Sequence, residues 1–309
     1  RNPIDQLSPR FSLAYTLNDK LSLNFNVGKY FQLPAYTVMG FKDLNGELIN
    51  KNNNLTYINN KHIVGGIEFN PEKYSKITIE SFYKKYDNYP FLLGDSISLA
   101  NLGGNFGVIG NEAVTSNSSG RSYGIEFLAQ RKLSKSFYGI LAYTWVRSEF
   151  KNKDDNYAPS AWDNGHIVSL TGGLKLKNDW EIGMKFRFAG GSPYTPYDYA
   201  TSSLIQVWDA NSFGVFDYNN LNNERLKANH GLDLRIDKKW FWKKVALNLY
   251  MDIQNLYNFQ AETQRSLIAD QDANGNILVD PNDPTRYSLK YISNVSGTVL
   301  PSIGLQFEF

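Results

Sequence analysis

The sequence predicts an all-β chain, an antiparallel up-and-down sheet forming part of a transmembrane β-barrel. Three observations lead there. Apolar and polar residues alternate with period 2 in about eleven segments, as strands between two different media do. The connections alternate short and long, as in barrels with tight turns at one membrane face and long loops at the other. No stretch of about 18–20 nearly uncharged apolar residues is present that could cross a bilayer as a helix.

Composition fits this reading. Of 309 residues, 42% are hydrophobic, 15% aromatic and 20% charged. The mean hydropathy of −0.42 is low for a membrane protein. A barrel hides its apolar residues in alternation, so a polar average is expected of it. The net charge of +2 gives nucleic acid no footing as a partner. The absence of cysteine excludes disulfides, thiolate metal sites and a Cys nucleophile. Arg1-Asn2-Pro3-Ile4-Asp5-Gln6 has neither the charged nor the apolar region of a signal peptide. An exported barrel with this start is expected to be processed or to be a piece of something longer.

The strands follow in order. Phe11, Leu13, Tyr15 and Leu17 share one face, and Leu21, Leu23, Phe25 and Val27 share another across the turn Asn18-Asp19-Lys20. Ile63, Gly65, Ile67 and Phe69 turn at Pro71-Glu72-Lys73 and return through Ile77 and Ile79. Tyr123, Ile125 and Phe127 turn at Ser134-Lys135 and return through Phe137 to Phe150, a strand whose facing is ambiguous. Leu141, Tyr143 and Trp145 compete there with Ile140 and Val146. Val168, Leu170, Leu174 and Leu176 turn at Asn178-Asp179. The return sets Trp180, Ile182, Met184, Phe186 and Phe188 against Glu181, Lys185 and Arg187. Leu232, Leu234 and Ile236 oppose Asp233, Arg235 and Asp237, and turn near 240–244. Val245, Leu247, Leu249, Met251 and Ile253 then oppose Asn248, Asp252 and Gln254. The last strand sets Ile303, Leu305, Phe307 and Phe309 against Ser302, Gly304, Gln306 and Glu308.

A soluble sandwich also alternates, but its strands centre on about 5–6 residues, whereas most here reach the about 9–11 that a tilted membrane strand needs. Nor would a sandwich gather every long loop at one end. The lumen-wall polar set is then Glu181, Lys185, Arg187, Asp233, Arg235 and Asp252. With short turns periplasmic, the last strand descends and leaves Phe309 in the periplasm. Counting back, the first strand also descends from the outer side. Complete bacterial barrels have an even strand count with both ends inside, so residues 1–309 are expected to be the C-terminal portion of a larger barrel.

Several segments resemble the C-terminal half of TonB-dependent outer-membrane receptors of the Bacteroidetes type. They are Ser8-Pro9-Arg10-Phe11-Ser12-Leu13-Ala14-Tyr15 with Gly28-Lys29-Tyr30-Phe31-Gln32-Leu33-Pro34; Trp162-Asp163-Asn164-Gly165-His166-Ile167; Phe186 to Pro196; Leu232 to Lys238; and Asp252-Ile253-Gln254-Asn255-Leu256-Tyr257-Asn258. The family often has Arg before the His; here Gly165 stands there and is given no role. The resemblance implies a 22-stranded barrel with a plug in its lumen, of which the eleven strands here are the second half. It implies uptake of a nutrient or metal chelate across the outer membrane of a Gram-negative bacterium. The plug, TonB and outer-membrane lipid are its implied partners, with a surface lipoprotein as a further one. Phe309 resembles the C-terminal signal read by the barrel-assembly machinery. Alternatives are a receptor-like scaffold or surface-binding subunit, and a passive pore.

Few residues suggest chemistry of their own. Tyr194, Tyr197, Tyr199 and Trp208, in the long loop 193–229, are candidate ligand contacts because loop aromatics can stack on a ligand. His62, His166 and His230 each begin a descending strand and do not converge as metal ligands would. Asp270-Gln271-Asp272-Ala273-Asn274-Gly275-Asn276 begins like a calcium loop, but Pro281 stands where the bidentate Glu is needed. A hairpin is favoured there and at Asp43-Leu44-Asn45-Gly46-Glu47, with calcium in 270–280 a weak alternative. The Gly-rich segment 101–107 lacks the Lys of a phosphate loop and reads as plain loop. No catalytic residue, cofactor site or metal site is expected, and no enzyme.

Overall fold

The computed structural model describes residues 3–53, 55–102 and 112–309. Of the Gly-rich segment 101–107, residues 103–107 lie outside them. Eleven long strands form one antiparallel meander: β1 (Arg10–Asn18), β2 (Leu21–Gln32), β3 (Ile58–Glu72), β4 (Ser75–Leu92), β5 (Val114–Ser134), β6 (Phe137–Lys151), β7 (Gly165–Lys175), β8 (Trp180–Ala189), β9 (Asn229–Phe241), β10 (Ala246–Gln254) and β11 (Leu300–Glu308). Each pairs with its neighbours in sequence, so the sheet order is the chain order. A short strand, Tyr157–Pro159, adds to the outer end of β6. Among the described residues the sheet does not close, and β1 and β11 are its two edges.

The register lines up the alternation. Directly paired residues share a face, and one row runs Tyr15, Leu23, Ile67, Ile79, Phe127, Tyr143, Val168 and Phe188 across eight strands. The facing of β6 is thereby fixed. Leu141, Tyr143 and Trp145 pair with Ala129, Phe127 and Ile125 and belong to the apolar face. Ile140 sits between Gln130 and Thr171 on the other face. Leu13, Phe25, Ile67, Ile125, Met184, Leu305 and many like them remain open to the surroundings. An open belt of this size cannot face water in a stable monomer and is explained by lipid.

Strands β4 and β5 are the longest, at 18 and 21 residues. Their outer ends overshoot the about 9–11 residues that a bilayer requires. There Leu92 and Val114 join the molecule's main buried cluster with Val38, Leu55, Ile97, Leu99, Ala158 and Leu221. Among the described residues this packed core therefore draws on the long connections, through Val38, Leu55, Ile97, Leu99, Ala158 and Leu221, above the wall. On the polar face, rings close over glycine: Tyr138 lies on Gly173 and Tyr250 on Gly304, where any Cβ would collide with the ring.

Candidate functional site in the outer loops

Buried side-chain amides and one carboxylate hold the loops in place. Asn50, fully buried, donates to Val38 O and Glu112 O at 2.8 Å each and accepts from Val114 N at 2.8 Å. Asn222, in the left-handed region at φ 51°, donates to Asn101 O at 2.7 Å and Pro159 O at 2.8 Å. Its backbone N–H meets Thr195 Oγ1 at 3.1 Å. Asp163 is fully buried. It pairs with Arg225, lies 3.4 Å from Arg147 and accepts from Ser148 N at 2.8 Å. Gly165, two residues on, has φ +70°, a backbone conformation that glycine adopts without strain.

These contacts frame a two-part cleft. A 570 Å³ cavity and a 360 Å³ cavity share Tyr194, Leu226, Thr263 and Gln264. The larger adds Trp162, Phe216 and Tyr218 with the amides of Asn101, Asn164 and Asn222. The smaller adds Tyr197, Tyr291 and the charged groups Arg225, Lys227, Glu262 and Arg265. Tyr197 stacks on Phe216 at 4.8 Å and 15°. Gln264 Nε2 donates to Thr195 O at 2.8 Å, joining the 261–269 strand to the 193–229 loop. The Glu262 carboxyl is held below its usual range by Lys227 at 3.0 Å, with Arg265 adding to it. Burial, then the neighbouring Asp95, pushes the Tyr218 phenol well above its usual range; its hydroxyl donates to that carboxylate at 3.1 Å. One lobe is thus neutral and aromatic, the other carries excess positive charge.

Of the four loop aromatics singled out, Tyr194 lines both lobes and Tyr197 lines the smaller. Tyr199 instead donates its hydroxyl to Leu289 O at 3.0 Å. Trp208, at 7% exposure, packs in a second small core with Leu267, Ala269 and Leu289 and is not among the residues lining either lobe. The sequence reading missed Asn222, Asp163, Gln264 and Tyr291. Only the Trp-Asp-x-x-His pattern signalled one of them.

The polar wall lies beneath. Glu181, Lys185, Arg187, Asp233, Arg235 and Asp252 all fall on the face opposite the apolar row. Lys185 pairs across with Asp233, and Arg187 reaches Asp233 at 2.8 Å. Glu181 faces Asp237, a like-charge pair. Each is satisfied elsewhere: Tyr138 donates to Glu181 at 2.6 Å, and Arg235 grips Asp237 through two 2.8 Å bonds while its guanidinium lies 4.0 Å over Tyr250. Lys185, Arg187 and Asp233 also line a 900 Å³ cavity whose far side includes Phe259 and Thr298 of the last long loop.

The histidines stay apart. His62 bonds to Asn60 and Asn26, His166 to Tyr143 and His230 to Tyr257. Among the described residues no group of three or more His, Asp or Glu is arranged to hold a metal. Segment 270–280 forms the hairpin tip, with Gln271 bridging Ile277 and Gly275 at φ +86°. Both Asp272 oxygens accept from the tip itself, from Asn274 N, Asn276 N and Asn276 Nδ2. Asp43 accepts from Asn45 and Glu47 in the same way. Phe309 follows β11 and is fully exposed.

An open apolar belt, a charged opposite face and loops gathered at one end define the class: the wall of a transmembrane β-barrel. A sequence profile of the family described as "TonB dependent receptor-like, beta-barrel" matches residues 1–256. The chain belongs to that family, whose members reside in the Gram-negative outer membrane. No curated protein sequence matches. Solved structures similar to it include the ferripyoverdine receptor of Pseudomonas aeruginosa (TM-score 0.58, 14% identity, 97% of this chain and 33% of that one). The ferric citrate transporter FecA has a TM-score of 0.58 at 15% identity over 97% of this chain and 38% of that one. The ferric yersiniabactin uptake receptor FyuA of Yersinia pestis has a TM-score of 0.59 at 11% identity over 97% and 37%. The chain spans about a third of the length of these structures, and identities this low establish the fold alone.

Proposed function

We propose that residues 1–309 are the C-terminal half of the wall of a TonB-dependent outer-membrane importer. The apolar face meets lipid and the polar face lines the lumen. The outer-loop cleft around Tyr194 takes the substrate first. The carrying observation is that cleft: two lobes of different chemistry, held by buried amides, at the end of the sheet where the long loops gather. Ring faces and amides in one lobe suit a planar or ring-bearing group; Arg225, Lys227 and Arg265 in the other suit an anionic one. Ferric chelates, for which the similar receptors are named, combine such features and are the first class to screen. Transport draws on TonB and a plug supplied by the rest of the receptor.

The test is uptake of labelled ferric chelates by cells carrying the full-length receptor. Tyr194→Ala should weaken binding about tenfold or more, in the range of an aromatic contact residue in a desolvated pocket. Collapse of the membrane potential should abolish uptake without abolishing binding. Uptake insensitive to the membrane potential would sink the importer reading; unchanged affinity in Tyr194→Ala would sink the cleft.

A further inference from the structure

The apolar face carries a depression near the short-turn end. Along one register row, Arg131 on β5 is followed by Gly139 on β6 and Gly172 on β7, then Met184 on β8. Two adjacent strands present no side chain there. Taller neighbours rise around them: Ile77, Leu141, Leu170, Leu174, Phe137 and Leu234. The result is a 790 Å³ groove in the part of the belt assigned to lipid.

Its rim carries more positive than negative charge. Arg131 is a cation on the apolar face, which is tolerated best near a membrane interface, where its cost is least. Its Nη1 serves Glu72 and donates to Ser75 Oγ at 3.2 Å. Among the described residues no partner is found for its Nε and Nη2, leaving guanidinium donors for an oxyanion. Lys73 and Lys135 stand in the two adjoining turns, and Lys135 is close enough to act on the Glu72 charge. Three cations against one carboxylate leave the rim positive.

We propose that this groove binds one anionic phospholipid of the inner leaflet, an acyl chain lying over Gly139 and Gly172 and the headgroup phosphate on Arg131. A guanidinium fork suits phosphate better than an ammonium does, and an apolar chain fills a groove that would otherwise leave its walls without contacts. The idea rests on the membrane placement proposed above, but its test is separable from it.

The full-length receptor would be extracted from native membranes in mild detergent and its retained lipids weighed by native mass spectrometry, with heat-modifiable gel migration confirming a folded barrel. The wild type should keep one phosphatidylglycerol-class lipid and exchange it slowly for added phosphatidylcholine. Arg131→Gln should lose the preference for the anionic headgroup at least severalfold. Ala129→Phe, which places a ring over the groove without altering either glycine, should lose the lipid outright. Folded barrels that retain lipid identically in all three forms overturn the proposal. If Ala129→Phe does not fold, Arg131→Gln decides alone: an undiminished anionic preference overturns it. A receptor that fails to reach the outer membrane at all refutes the placement instead.

Discussion

Asp163 shows how a single residue organises a surface. A carboxylate taken fully out of water needs compensation, and here Arg147, Arg225 and the Ser148 N–H provide it. Arg225 also donates to Asp163 O at 2.6 Å and Gly191 O at 3.0 Å, so this cluster ties the 152–164 and 190–228 connections to each other and to β6. Only the carboxylate is fully buried; both guanidinium groups keep access to solvent, so losing an arginine should cost more than losing the Asp163 charge. Asp163→Asn keeps the shape and loses the charge. We expect the barrel to assemble while segments 152–164 and 190–228 become sensitive to externally added protease. Protection equal to the wild type would show that the pair contributes nothing to the loops. The same variant should weaken ligand binding indirectly, since Arg225 lines the smaller lobe.

At the level of elements, the outer hairpins and loops share a chemical dependence. Asp198 is held below the usual carboxylate range by the Thr201 hydroxyl and N–H, Asp270 by Lys290, Asp272 by Asn276 and Asp283 by Thr285. Glu262 is lowered by Lys227. For each, the folded state holds fewer protons than the unfolded one between the lowered value and the ordinary one. Stability contributed this way is present above the ordinary value and is lost as pH falls through that window. The loops should therefore loosen below about pH 4 while the wall, held by backbone ladders, persists. Hydrogen exchange at pH 7 and pH 3 would show it as lost protection confined to 193–228 and 261–296; uniform loss along β2 to β10 would contradict it. These elements were unequally legible beforehand. All eleven wall strands could be read, because a side exposed to lipid and a side exposed to water leave a period of 2 in the residues themselves. Only the facing of β6 stayed open, since Ile140 and Val146 put apolar groups on the polar face. The loop core could not be read: Val38, Leu92, Val114 and Leu221 are far apart in sequence and follow no period. Trp208 and Tyr194 look alike in a sequence, yet one fills a core and the other lines a cleft.

The whole molecule is governed by its two free edges. In the described structure β1 and β11 each have one ladder of N–H and C=O groups without strand partners. In water such edges invite association; in hydrocarbon they are costlier still, since each unsatisfied group costs several kcal/mol, and only closed barrels avoid it. Eleven antiparallel strands can close on themselves only with a mismatched last pair, because β1 and β11 run the same way. An all-antiparallel ring needs an even strand count, in which β1 and β11 would each meet a different antiparallel neighbour. Residues 1–309 refolded alone into detergent should accordingly give higher-order species or aggregate. The full-length receptor should give one heat-modifiable monomer. Supplying the remaining strands as a separate chain should rescue the segment into a complex of one copy of each, seen by sedimentation in matched-density detergent. A compact, heat-modifiable monomer of residues 1–309 alone would mean that β1 and β11 do pair, and would replace the half-wall by a small self-contained pore.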